Sequence, residues 1–195
     1  MKSKNRILLA PAALMPAACA GHHGGGKTQE EPIMNTPKTD ETTQELMMPD
    51  PTDVSSIDAI VKAMYASICF DKGKEPGWQR LRTLLSPGAR LIAAKKDKLL
   101  IMGIEEFISL FRENIKKGDL KSFHESEVFR HTDTFGNIAQ VFSTYESRFL
   151  PQDEKPFTRG INSIQLHHDG KRWWISGIVW DDEREDNPVP RENLP

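Results

Sequence analysis

A chain of 195 residues with a formal charge of −2 suits one domain with flanking segments. Its near-neutral balance, with no basic stripe on any predicted element, gives no electrostatic footprint for a nucleic-acid partner. The cysteines are Cys19 and Cys69, and Cys19 lies in the leader, so a disulfide framework is excluded for the folded part.

Lys2, Lys4 and Arg6 form a basic start, and Ile7 to Ala20 is mostly apolar but too short to span a bilayer. Residues 1–20 read as a signal peptide. Ala18-Cys19-Ala20 fits a small-x-small cleavage site, and Ala17-Ala18-Cys19 resembles the lipobox of bacterial lipoproteins, with Pro16 where that motif carries an aliphatic residue. A noncleaved tail is the third reading. The expectation is export, to the periplasm or to a lipid anchor at Cys19, which would be the chain's only membrane attachment. Residues 21–53 are rich in Gly, Thr, Glu, Lys and Pro and read as a flexible linker, since such a segment buries too little apolar surface to offset its ordering entropy. About 30 such residues reach roughly 30 Å. His22-His23 has no third ligand and reads as solvated.

Residues 54–182 are the predicted domain. Ser55 and Asp58 have capping-box spacing, and Ile57, Ile60, Val61, Met64 and Ile68 recur along one helical face with Tyr65 beside it. Asp71 to Gly77 breaks that helix. A second, short helix turns Trp78, Leu81, Leu84 and Leu85 inward and stops at Ser86-Pro87-Gly88, and Ala89 to Ala93 is a short strand before a polar loop, Lys95 to Lys98. The third helix carries Ile104, Phe107, Ile108, Phe111 and Ile115 on one face, with Glu105 and Glu106 early, Lys116 and Lys117 late and Gly118 as its stop. Long antiparallel strands follow over Phe123–His131, Ile138–Phe149, Phe157–Leu166 and Arg172–Trp180, with a two-residue turn predicted at Asp169-Gly170 and bulges at Gly160 and Gly177. Residues 183–195 are polar and proline-broken, and read as an extended tail. Helices grouped before an antiparallel sheet indicate α+β.

This order of elements resembles the NTF2-like superfamily, which includes SnoaL-like domains and ketosteroid isomerase. The residues that carry the resemblance are the Ser55–Phe70 helix, Gly103-Ile-Glu-Glu-Phe107, Gly136-Asn-Ile-Ala-Gln-Val141 and Asp169-Gly-Lys-Arg-Trp-Trp-Ile175. It implies a curved sheet wrapped around the first helix, a cone with a pocket at its open end.

Alternation along the last strand groups Trp174, Ser176, Ile178 and Trp180 on one face and Trp173, Ile175 and Val179 on the other. The resemblance to ketosteroid isomerase puts Trp180 on the pocket face, Asn162 where that family has its oxyanion-stabilising acid, with Ile164 and Leu166 beside it, and Tyr65 near the family's catalytic tyrosine. It also puts Ala93 where the isomerases have their base, so nothing there can take a proton. His124 is the other candidate, grouped with Ser126 and Val128, while Glu125 and Glu127 are assigned to the wet face. Tyr145 is taken as inward, which leaves Phe142, Trp173, Ile175 and Val179 as an apolar outer strip. That strip would either pair the sheet with a second copy or lie under the C-terminal tail. No three ligand-type residues share a face at metal spacing, and no cofactor is implied.

Three functions are compatible with this reading. The first is an exported domain that binds a small, mostly apolar ligand in the cone without transforming it. The pocket candidates are Tyr65, His124, Tyr145, Asn162, Ile164, Trp174, Ile178 and Trp180. The second is a SnoaL-like isomerase, dehydratase or hydrolase using His124 with Asn162 and Tyr65. The third is a dimeric interaction module of the envelope.

Overall fold

A computed structural model describes residues 48–195. The leader, Cys19, His22-His23 and the linker up to residue 47 lie outside the described residues. Packed structure begins ahead of the first helix. A 3-10 turn, Pro51–Val54, buries Val54 and holds Asp53 in a two-pronged ion pair with Arg80 at 2.6 and 2.7 Å.

Helix α1 spans Ile57–Ile68 and is capped by Ser56, one residue later than the spacing predicts, whose hydroxyl accepts from the Ala59 N–H at 3.1 Å. It buries Ile60, Val61, Met64 and Tyr65 against the sheet. Helix α2 is Trp78–Leu84. Strand β1 then begins at once, Leu85–Lys95, running through Ser86-Pro87-Gly88 with a break in register between Leu85 and Arg90. The predicted short strand is therefore longer at both ends, and Lys95 belongs to it. Strand β2, Lys98–Met102, begins at the last residue of the predicted loop and has no counterpart among the predicted elements; it pairs with β1 across a tight turn. Helix α3 spans Ile104–Lys117. Glu106 accepts from the Gly103 N–H at 2.7 Å, and Gly118 closes the helix at φ 76°, a left-handed conformation that favours glycine.

The remaining strands are β3 (His124–Phe135), β4 (Ile138–Arg148), β5 (Thr158–His168) and β6 (Trp173–Asp182). The six strands form one open sheet in the order β2-β1-β6-β5-β4-β3. Every pairing is antiparallel except β1 with β6, which is parallel. The fold is α+β, with the helices on the concave face.

Two bulges bend the long strands, and neither lies at a predicted glycine. Val128 is the extra residue of β3, and Ser176 is the extra residue of β6, next to Gly177. Gly160 sits in unbroken ladder opposite Tyr145; a Cβ there would collide with the Tyr145 phenol and the Asp181 carbonyl. Between β5 and β6 the turn has four residues, not two. Asp169 accepts from the N–H groups of Lys171 and Arg172 at 2.8 and 2.9 Å. The C-terminal residues return over the outer face, where the buried Thr144 hydroxyl donates to the Asn193 carbonyl at 2.7 Å beside a 3-10 turn at Arg191–Asn193.

Candidate functional site

The inner face of the sheet is built in layers, one for each pair of residues along the strands. The deepest layer is apolar: Val141, Ile164, Ile178 and Leu91 stand opposite one another and are buried. Ser143, Asn162, Trp180 and Ala93 form the next layer, and Tyr145, Gly160 and Asp182 the one beyond. Lys95, two residues past Ala93, reaches Asp182 as an ion pair. Glu127 stands opposite Tyr145, and Glu125 opposite Ser147, farther out on β3.

Hydrogen bonds tie these side chains into two chains. Asn162 donates to the Tyr65 hydroxyl at 3.1 Å, and Tyr65 bonds Ser143 at 2.7 Å. Ser143 in turn donates to Glu127, which Arg130 holds at 2.6 Å; Arg130 also reaches Asp58 at 2.7 Å. With Asn162 donating to its oxygen, Tyr65 spends its own O–H on Ser143. In the second chain, Tyr145 donates to Asp182 at 2.6 Å, and Asp182 also accepts from Lys95. The outermost carboxylate, Glu125, accepts from Ser147 at 2.7 Å.

The electrostatics follow from these partners. Burial, with a smaller contribution from the nearby Asp182 charge, pushes the Glu125 carboxyl up to about 7. Burial likewise raises the Tyr65 and Tyr145 phenols, helped by the carboxylates around them. Both tyrosines stay protonated and act as hydrogen-bond donors.

Over this polar belt lies α3. Phe107 meets Trp180 edge-on with ring centres 6.2 Å apart, and Phe111 meets Phe123 at 5.5 Å. Phe123 shares the inner side of β3 with Glu125 and continues to Phe157 and Phe149 at the rim, where both are exposed. A separate open groove of about 530 Å³ runs outside the cone, between the Lys95–Leu99 turn and Asp181 with Arg184.

Of the predicted pocket residues, Tyr65, Tyr145, Asn162, Ile164, Ile178 and Trp180 face this interior. Trp174 does not. The Ser176 bulge reverses the alternation, so Ile175 and Trp173 join the inner side, and Trp174 lies outside under the Arg172 guanidinium, 3.5 Å from its ring, donating to Asp169 at 2.7 Å. His124 is also corrected. It pairs with Arg148 on the opposite side of β3 from Glu125, and its Nε2 lies 3.2 Å from an Asp71 oxygen. Glu125 and Glu127 take the inner positions, the reverse of the assignment from sequence. The signal was Phe123: a buried aromatic two residues before Glu125 fixes the inward parity. Lys95 and Asp182 were missed because both strands were ended too soon.

No protein-family model matches the chain, and no curated protein does. Solved structures do. A protein of unknown function with a cystatin-like fold from Nostoc punctiforme is 11% identical over 71% of this chain and 97% of its own, with a TM-score of 0.52. An NTF-2 like protein of unknown function from Silicibacter pomeroyi is 14% identical over 66% of this chain and 94% of its own, at 0.47. The fold matches the cystatin-like architecture of the first of these, the α+β arrangement that the resemblance to NTF2-like proteins implies. A putative calcium/calmodulin dependent protein kinase II association domain from Xanthomonas campestris also aligns, at 11% identity over 66% of this chain and 86% of its own, with a TM-score of 0.49. At such identities an NTF2-like cone is a shared architecture and carries no activity.

Proposed function

We propose that the NTF2-like cone binds a small molecule with a mostly apolar body and does not transform it. The supporting observation is the half-buried aromatic wall of Phe107, Phe111 and Trp180 over a belt of polar side chains. Pockets for small ligands combine apolar walls with a few polar groups that fix orientation. Catalysis on a carbonyl is disfavoured by the hydrogen bonds. Tyr65 spends its donor on Ser143 and Asn162 spends one on Tyr65, and Ala93 stands buried opposite Trp180 with no proton acceptor of its own. Native mass spectrometry of protein purified from its host tests this reading: a co-purifying small molecule, released on unfolding, is the expected result. We place the domain outside the cytoplasmic membrane on the strength of the leader. Mass spectrometry of the mature N-terminus would find either Gly21 or a diacylglycerol adduct on Cys19; an intact Met1 would sink export.

A second reading has one observation in its favour. Glu125 faces inward with its carboxyl pushed up to about 7, whereas His124 lies on the other side of β3, so Glu125 takes its place as the acid–base candidate. If it works on a ketone, incubation with an unconjugated enone gives conjugation, followed by ultraviolet absorbance, above the buffer rate and abolished in Glu125→Gln. The binding-only reading expects the buffer rate.

A further inference from the structure

We propose that the ligand of the cone is an organic cation, a protonated amine on an apolar body whose N–H groups donate to Glu125. This rests on the binding reading above and adds the chemical class.

The argument starts from how the chain treats its other shielded carboxylates. On the outer face, Glu146 is gripped by Arg148 and Arg159, each at 2.5 Å. Burial alone would raise its carboxyl, but the two guanidinium groups outweigh that and hold it below the usual range. Asp53 has Arg80, Glu127 has Arg130, and Asp182 has Lys95. Glu125 has one hydrogen-bond donor, the neutral Ser147 hydroxyl. Among the described residues no cation forms an ion pair with it: the Lys95 ammonium, near enough to lower its carboxyl, is bonded to Asp182. An unpaired charge in such a place is costly, and a positive ligand removes that cost.

Donor counting leads to the same class. Asn162 spends one N–H on Tyr65. Tyr65, Ser143 and Tyr145 direct their hydroxyl protons at Ser143, Glu127 and Asp182 in turn. A carboxylate offers about four acceptor positions, and Ser147 takes one on Glu125. Lys95 brings donors to the belt but is bonded to Asp182. The positions left open on Glu125 are acceptors, and they suit a ligand that brings donors. Phe123 lies on the same side of β3 as Glu125, with Phe111 packed against it from α3. Ring faces beside a carboxylate attract a cation and repel an anion.

The test uses three probes of similar size, phenethylamine, phenethyl alcohol and hydrocinnamate, titrated into the full chain at about pH 8, where Glu125 is ionised. Affinity is read by calorimetry. The amine should bind at least about tenfold tighter than the alcohol, with no detectable binding of hydrocinnamate. Glu125→Gln, checked for folding by circular dichroism, should erase the preference. If that variant does not fold, wild-type affinity for the amine should still fall on acidification through about 7, where Glu125 takes its proton, while that for the alcohol stays level. If the alcohol or hydrocinnamate equals or exceeds the amine, the cation assignment fails and the binding reading stands. If the amine preference survives in Glu125→Gln, or does not change with pH, Glu125 is not its partner and the assignment likewise fails. If no probe binds, both readings fail together.

Discussion

At the deep end of the sheet, Val141, Ile164, Ile178 and Leu91 line up across four strands as buried apolar side chains and meet α1. Two layers along the same strands, Tyr145 and Asp182 replace them, joined by Lys95, and Glu125 lies one layer farther on. Backbone pairing is continuous between the two ends on β4 and β5. What changes is only the side chain at every second position. The deep end gains its stability by removing apolar surface from water, at about 25 cal/mol per Å². The open end gives up that contribution for hydrogen bonds whose net worth is small. A domain built this way anchors its fold at one end and keeps its chemistry at the other.

The largest effect that sharpens this contrast is at the deep end. Ile164 is fully buried, so Ile164→Ala should cost about 2–5 kcal/mol in urea unfolding. A loss within error would mean that the deep layer is not the anchor.

Next comes the pH response of the open end. The Glu125 carboxyl is raised from 4.5 to about 7 in the folded protein, so between those values the folded state holds a proton that the unfolded chain has released. Stability from this group is therefore full below 4.5, falls as pH rises toward about 7, and is level above. Glu125→Gln removes the titration. Over that window the difference in unfolding free energy should move in the variant's favour by about 3 kcal/mol. Parallel curves for the two proteins would show that the Glu125 carboxyl is not shifted.

A smaller effect belongs to the seam between the two ends. Gly160→Ala drives a methyl into the Tyr145 phenol and should cost about 1–2 kcal/mol. Much of that cost should disappear in a Tyr145→Leu background, where the ring is gone. Equal costs in both backgrounds would trace the strain to the Asp181 carbonyl instead. The smallest change is expected outside the cone. Trp174→Ala loses one guanidinium contact and one hydrogen bond at the surface, about 1 kcal/mol, and should leave the melting curve almost where it was.

The deep end was legible because it repeats. The 3.6-residue stripe on α1 and the alternation on β4 and β5 each point one way, and the order of elements follows from them. Helix α3 announced both of its ends through Glu106 and Gly118. The open end was harder to read, because its inward residues are polar and an alternation rule sends polar residues to water. For that reason the sequence sends Glu125 and Glu127 to the wrong face, puts Lys95 in a loop and leaves Asp182 beyond the end of the last predicted strand. Trp174 failed for a different reason. One extra residue in β6 exchanges the two faces, and the ladder shows the bulge at Ser176, while composition marks only the glycine beside it. Strand β2 was passed over because five residues next to a lysine-rich turn resemble the end of a loop.

The parallel pairing of β1 with β6 has a consequence for the order in which the molecule assembles. Strands β3 to β6 join neighbour to neighbour, through turns that close quickly. The β1–β2 hairpin must find β6 across the whole meander, setting Leu91 beside Ile178 and Ala93 beside Trp180. Contacts between distant parts of a chain are slow to form, because loop closure costs entropy before any contact rewards it. Lys95 arrives on that hairpin, so Asp182 goes without its ammonium partner until the seam has closed. The open end, where ligand binding is proposed, is thus completed by the slowest docking event, and on that proposal ligand added during refolding should capture only chains that have passed it.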